Sequence, residues 1–264
     1  MKLNIVPARA GAQWVKLGLR TFSKRPLALT GLFFMIVAAT TIFGLLPYVG
    51  NILALGLLPA ATVGYWVATR AASEDKFPMP WILFTAFRSG QQELRAMLLL
   101  GLLYALCFFA ILGASALLDG GQFALATLTG DEITVETMNR ADFQSAALLV
   151  MTLSLPLSPL FWHAAALIHW HAVPPTKALF FGLIGIVRNL GAYIVMGLIW
   201  LSMTMGLMLL AAGSIAMIAG ENAGEAAMVP VAVLAAALLL TTLYFSFADS
   251  CIATPTEADE TSIT

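Results

Sequence analysis

Polar and apolar positions in this chain alternate on the scale of a membrane thickness rather than of a single helical turn. Six nearly uninterrupted apolar runs occupy about 27–47, 50–70, 96–118, 146–168, 191–213 and 229–251. Each approaches the ~20 residues that a helix needs to cross a hydrocarbon layer of ~30 Å. Helix is the expected form, because backbone amides in lipid must be paired within their own segment. The runs are too continuous for the alternation of a membrane β-barrel. The pattern therefore predicts an all-α integral membrane protein, a bundle of six transmembrane helices. Residues 1–252 form one polytopic domain, and a polar acidic tail over 253–264 is expected to be disordered.

Three stretches between the runs have helical period and two unlike faces. In residues 1–26, Lys16, Arg20 and Lys24 recur every four residues, opposite Trp14, Val15, Gly18, Leu19 and Phe22. This is the pattern of a helix lying in a membrane surface over anionic lipid headgroups, with Trp14, Lys16, Arg20, Lys24 and Arg25 as lipid contacts. The plainer reading is a lead-in helix packed on the protein's own spans. A second amphipathic helix is expected over 81–95, with Arg88, Gln91, Gln92 and Arg95 on one face and Trp81, Phe84 and Phe87 on the other. A third begins near Thr176 after Pro174-Pro175 and carries Lys177 and Arg188 on a shared face. All three are expected as interfacial helices on the cytoplasmic side. Residues 1–26 do not have the short basic start and brief apolar core of a signal peptide.

The order of interfacial helix, span and span occurs three times. The odd-numbered spans begin with echoes at Gly31, Gly101 and Gly197, and the even-numbered ones share aromatic pairs, Tyr65-Trp66, Phe161-Trp162 and Tyr244-Phe245. Either a threefold repeat or chance likeness in a restricted alphabet accounts for these echoes. In the second span, Ala60, Gly64 and Ala68 form a small-residue stripe that would let another helix approach closely.

Charge sets the expected orientation. Of 13 basic residues, all but Arg140 fall in 1–26, 70–95 and 177–188, while the 119–145 loop carries five acids. Positive charge stays inside, so both termini are expected in the cytoplasm. Five of six tryptophans (Trp14, Trp66, Trp81, Trp162 and Trp170) would then lie near the inner interface. The chain is 60% hydrophobic and only 10% charged, against roughly 25% charged in soluble domains. A net charge of −1 gives no reason to expect nucleic acid. The two cysteines, Cys107 and Cys251, both fall in apolar runs and are expected as free thiols.

Candidate chemistry concentrates in the fourth span, which carries Ser154, Pro156, Ser158 and Pro159 near its middle and His163, His169 and His171 toward its end. Ionisable groups inside a span are functional candidates by default. Ser154, Ser158, His163 and Asp249 are therefore the candidate substrate or partner site, with Asp249 open to pairing with His163, Arg70 or Arg88. The prolines either open the helix in mid-membrane, as in transporters, or merely kink it. Zincin, nucleophile-elbow and phosphate-loop signatures are absent, so no catalytic residue, metal or cofactor is expected.

The opening Asn4-Ile5-Val6-Pro7-Ala8-Arg9, with Gly11, Trp14, Arg20, Phe22 and Arg25-Pro26, resembles an uncharacterised family of proteobacterial multi-pass inner-membrane proteins. The likeness extends through the first two spans to Arg70-Ala71-Ala72. It implies a bacterial inner membrane and six spans, and it lends no catalytic residue. Two functions are compatible with these features. One is a non-enzymatic accessory module for lipids, a membrane-protein partner or a second copy; the other is a transporter or channel for a small or amphiphilic solute, built around the fourth span.

Overall fold

The computed structural model describes residues 2–46, 49–130 and 133–252. The tail over 253–264 lies outside these residues, as do Pro47, Tyr48, Asp131 and Glu132. Six helices are long and apolar enough to cross a membrane: α2 (Pro26–Gly44), α3 (Gly50–Ser73), α5 (Gln91–Asp119), α8 (Ala141–His171), α10 (Leu190–Ala219) and α11 (Glu221–Ser250). Shorter helices connect them: α1 (Ala10–Lys24), α4 (Thr85–Arg88), α6 (Gln122–Thr129), α7 (Val135–Met138) and α9 (Pro175–Arg188).

Several helices are longer than their apolar runs. At 1.5 Å per residue, α5 with 29 residues and α8 with 31 are about 44–47 Å long, more than a ~30 Å layer needs. The surplus turns are polar at one end, Gln91–Arg95 in α5 and Ala141–Ser145 in α8. Residues 81–95, expected as one amphipathic helix, are instead divided. A 3-10 turn, Pro80–Phe84, and α4 end before Gly90, whose φ of 117° suits only glycine, and the polar QQELR segment opens α5. The loop expected over 119–145 folds into α6 and α7. Asp119 caps α6 by accepting the N–H groups of Gly121 at 2.9 Å and Phe123 at 2.6 Å.

Helix α3 is the centre of the bundle, touching α2, α5, α8, α11 and the 3-10 turn. Half of its most apolar window is buried, against 11% for α10, which rests mainly on α11 and α1. Where α3 crosses α5, a Cβ on Gly101 would strike the Gly56 carbonyl oxygen, so Gly101 is needed for that approach, whereas a Cβ on Gly56 would make ordinary contact with the Gly101 carbonyl at 3.6 Å. A Cβ on Gly31 or Gly197 would meet nothing within 4 Å, so the glycine echo among odd-numbered spans has no shared packing role. The stripe Ala60, Gly64 and Ala68 is buried, but Gly64 makes room for the 3-10 turn rather than for another span: a Cβ there would lie 2.6 Å from the Leu83 backbone.

The apolar face of α1 packs on the protein itself. Gly11 and Gly18 bring it against Ala192 of α10 and Thr242 of α11, and Trp14, Val15 and Phe22 are buried beneath it. Both ends of the described chain meet at this end of the bundle, where Lys2–Leu3 forms a two-residue antiparallel bridge with Cys251–Ile252.

Candidate functional site

The helix α8 runs unbroken through Pro156 and Pro159, so the fourth span is not unwound. Its prolines nevertheless leave carbonyls without an i+4 amide. One turn later, at Pro159 O, His163 Nδ1–H donates back at 2.8 Å. A carbonyl can only accept, so Nδ1 carries a proton and Nε2 of the neutral ring is left as an acceptor. The Tyr193 hydroxyl of α10 fills that position at 2.7 Å. Ser246 of α11 stands 3.2 Å from the same tyrosine oxygen and donates to Leu243 O at 2.8 Å. This set joins α8, α10 and α11 through a histidine only 1% exposed.

An aromatic cage surrounds His163. Trp66, Tyr193 and Phe247 lie 5.7, 5.9 and 5.7 Å away between ring centroids, all steeply inclined to it. Trp66 Nε1–H donates to Leu240 O at 3.0 Å, and the Tyr65 hydroxyl donates to Ala237 O at 2.9 Å, so α3 is tied to α11 by two further buried bonds. Fully partnered polar groups in a low-dielectric interior rigidify the fold, because breaking any one leaves a costly orphan.

A second set joins the amino-terminal segment to this core. Asn189, 2% exposed at the turn between α9 and α10, accepts Val6 N–H at 2.8 Å and donates to Asn4 O and Gly185 O, each at 3.0 Å. Asn4 N–H in turn donates to Ser250 O at 2.9 Å, and its side chain to Asp249 O at 3.1 Å. The Asn4–Arg9 motif is thus a strap across the ends of α10 and α11. Trp14 closes the assembly: its indole N–H donates to Asp249 Oδ2 at 2.9 Å while its ring lies 5.3 Å from that of Tyr193.

The four site positions expected together are therefore distributed. His163 and Asp249 belong to adjoining parts of this assembly, but Asp249 takes the Trp14 indole and, among the described residues, has no salt bridge with His163, Arg70 or Arg88. Ser158 pairs with the Tyr104 hydroxyl at 3.2 Å, and Ser154 Oγ is buried without a hydrogen-bond partner among the described residues. His169 lies 2.6 Å from Glu93, joining the end of α8 to the first turn of α5. Asn189, Tyr193 and Ser246 are the members that sequence reasoning missed. For Ser246 the available signal is the polar triplet Ser246, Asp249 and Ser250 on one face of the last helix.

The basic face of α1 also differs from expectation. Trp14 is 1% exposed, so it cannot contact lipid, and Trp66 is fully buried, so neither belongs to an interfacial belt. Lys16 and Arg20 are exposed, whereas Lys24 binds Asp75 at 2.9 Å and Ser73 O at 2.9 Å. The Arg25 guanidinium donates to Asp75 O at 3.3 Å and lies 6.0 Å from the Phe77 ring. The Lys24 hydrogen bond and charge hold Asp75 below the usual carboxylate range. Cys251 is buried beside the strap, and both cysteines are free.

Over 250 residues, 94% of this chain and 93% of its relative, the sequence is 33% identical to a probable inner membrane protein of Burkholderia thailandensis. No protein-family model and no solved structure matches the chain.

Proposed function

The chain belongs to the family of that Burkholderia inner membrane protein, and from this premise we propose that it is a non-enzymatic accessory protein of the bacterial inner membrane, engaging lipid or membrane-protein partners through its helix faces. One observation carries the reading: His163, Asp249 and Ser158, three of the four candidate site residues, are spent on other polar groups of the protein. His163, Tyr193 and Ser246 form one set, Asp249 and Trp14 a second, and Ser158 and Tyr104 a third. A transport path needs polar groups that face water or solute, and these face protein. The outward surface is instead apolar, with Leu198, Leu201, Met205 and Leu209 of α10 exposed.

In this reading both termini are cytoplasmic, and α1, α4 and α9 lie at the inner surface. Lys16 and Arg20 then meet anionic headgroups, each contributing ~1 kcal/mol, while Lys24 and Arg25 serve the α1–α3 junction. A transporter is the second reading, favoured by the unpartnered Ser154 Oγ in the proline-rich turn of α8.

The test combines two measurements on protein in native membrane. Cysteines introduced as Ser154→Cys and Ser158→Cys are exposed to a membrane-impermeant thiol reagent. The protein is then purified in mild detergent, and its co-purifying lipids and proteins are identified by mass spectrometry. Unreactive cysteines together with a stoichiometric partner protein or a selectively retained anionic lipid support the accessory reading. Rapid labelling at both positions in a protein that purifies alone overturns it in favour of transport.

A further inference from the structure

Helix α1 carries a line of cations on the face turned away from α10 and α11. Arg9, whose backbone is already helical, is followed seven residues later by Lys16 and four after that by Arg20. At 3.6 residues per turn the three fall within about 40° of one another and along ~16 Å of helix. All are exposed, and none has a salt bridge among the described residues. Lys24, next on the same line, has a carboxylate within reach and binds it, Asp75 at 2.9 Å. The other described acids at this end of the bundle are engaged elsewhere. Glu74 holds Arg70 at 3.2 Å and Lys76 at 2.7 Å, Glu93 meets His169 at 2.6 Å, and Asp249 accepts the Trp14 indole. No described carboxylate is left at this end to answer Arg9, Lys16 and Arg20.

The same chain holds further acids that can reach them. Residues 253–264, beyond the described ones, include Glu257, Asp259 and Glu260 and no basic residue. Their point of departure is fixed by the pairing of Cys251–Ile252 with Lys2–Leu3. Ile252 follows Asp249 by three residues, and Asp249 binds Trp14, which stands midway along the line of cations. A chain spans at most ~3.6 Å per residue, so Glu257 can stand up to ~18 Å from Ile252 and Glu260 up to ~29 Å. That reach covers the ~16 Å line from its middle to both ends. Exposed ion pairs are individually weak, but a short tether holds the acids at an effective concentration on the order of mM.

We propose that the acidic segment 253–264 docks on Arg9, Lys16 and Arg20 and competes there with anionic headgroups. The competition rests on the accessory reading, which assigns Lys16 and Arg20 to lipid; the docking of the segment does not.

The test uses the full chain in phosphatidylcholine nanodiscs and a water-soluble carbodiimide, which joins a lysine amine to a carboxylate in contact with it as an amide. Peptide mass spectrometry reads the products, with Lys24–Asp75 as the internal positive control and Lys177 as the comparison amine. Lys16 should join Glu257, Asp259 or Glu260 at least tenfold more often than Lys177 does. The yield should fall several-fold in 1 M NaCl, where screening shortens to ~3 Å, and in the double variant Arg9→Gln/Arg20→Gln, which leaves Lys16 in place. Discs containing phosphatidylglycerol should lower it as well, and Glu257→Gln/Asp259→Asn/Glu260→Gln should retain several-fold more phosphatidylglycerol through purification. Control product without the Lys16 product would overturn the docking, as would a yield indifferent to salt and to the arginines, the mark of a tethered end meeting Lys16 by chance. A Lys16 product that phosphatidylglycerol leaves unchanged would overturn the competition. Failure of either protein to retain phosphatidylglycerol, with the Lys16 product present, would count against the lipid reading and not against the docking.

Discussion

Replacing Asn189 by leucine removes a single amide of nearly the same shape and tests whether the amino-terminal motif is held as the geometry requires. The side chain accepts Val6 N–H at 2.8 Å and donates to Asn4 O at 3.0 Å. Leucine does neither. A buried donor left without its partner costs about 1–3 kcal/mol, which is roughly 5- to 150-fold in the local opening equilibrium. The cost cannot much exceed this range, because a strap at the bundle end can lift away and find water. Amide hydrogen exchange read residue by residue is the appropriate assay. In Asn189→Leu the Val6 amide should exchange faster by that factor. The Asn4 amide is an internal control: it donates to Ser250 O at 2.9 Å, a bond the substitution leaves in place. Its protection should fall less. Unchanged exchange at Val6 would refute the strap, and equal acceleration at both amides would show that Asn189 acts on the whole junction rather than through this bond.

Tyr193→Phe should destabilise the protein by about 1–3 kcal/mol in detergent unfolding, because His163 Nε2 loses the donor at 2.7 Å; a double-mutant cycle with His163→Ala should show coupling of at least ~0.5 kcal/mol. Gly101→Ala should cost about 1–3 kcal/mol by driving a methyl into the Gly56 carbonyl, whereas Gly31→Ala, with open space around it, should stay within about 0.5 kcal/mol in the same assay. The Lys24–Asp75 pair lowers the folded pKa of Asp75, so its stabilisation is full above the unfolded carboxylate value of about 3.9 and is lost as pH falls through the lower folded value; Lys24→Met should flatten that part of the acid-unfolding curve. Cys251, only 6% exposed, should resist maleimide in the folded protein at neutral pH and react once SDS has unfolded it, as followed by peptide mass spectrometry.

Much of the architecture is written in the order of residues, because solvent preference acts on each segment separately. Six apolar runs must become helices in lipid whatever their neighbours do, and six such helices are present. Pro26 and Pro175 start α2 and α9 for an equally local reason, since proline suits a first turn. The amphipathic face of α1 was likewise legible. Its occupant was not: an apolar stripe reads the same whether lipid or protein covers it, and Gly11 and Gly18 settle the matter only once α10 and α11 are brought alongside.

The polar groups divide along the same line. Composition marked His163 and Asp249 as groups that lipid would not tolerate alone, but a sequence does not say which oxygen or nitrogen will answer them. The partners came from far along the chain, Tyr193 thirty residues from His163 and Trp14 at the opposite end from Asp249. Nor was the fate of the fourth span decided locally. Pro156 and Pro159 favour a break, yet α8 stays continuous with His163 donating to the Pro159 carbonyl and α3, α5 and α9 packed around it. Local free energies of solvation determined which segments are helices. The assignment of hydrogen-bond partners, and with it the shape of the interior, required tertiary structure, because a buried polar group is satisfied by whatever the fold brings within about 3 Å of it.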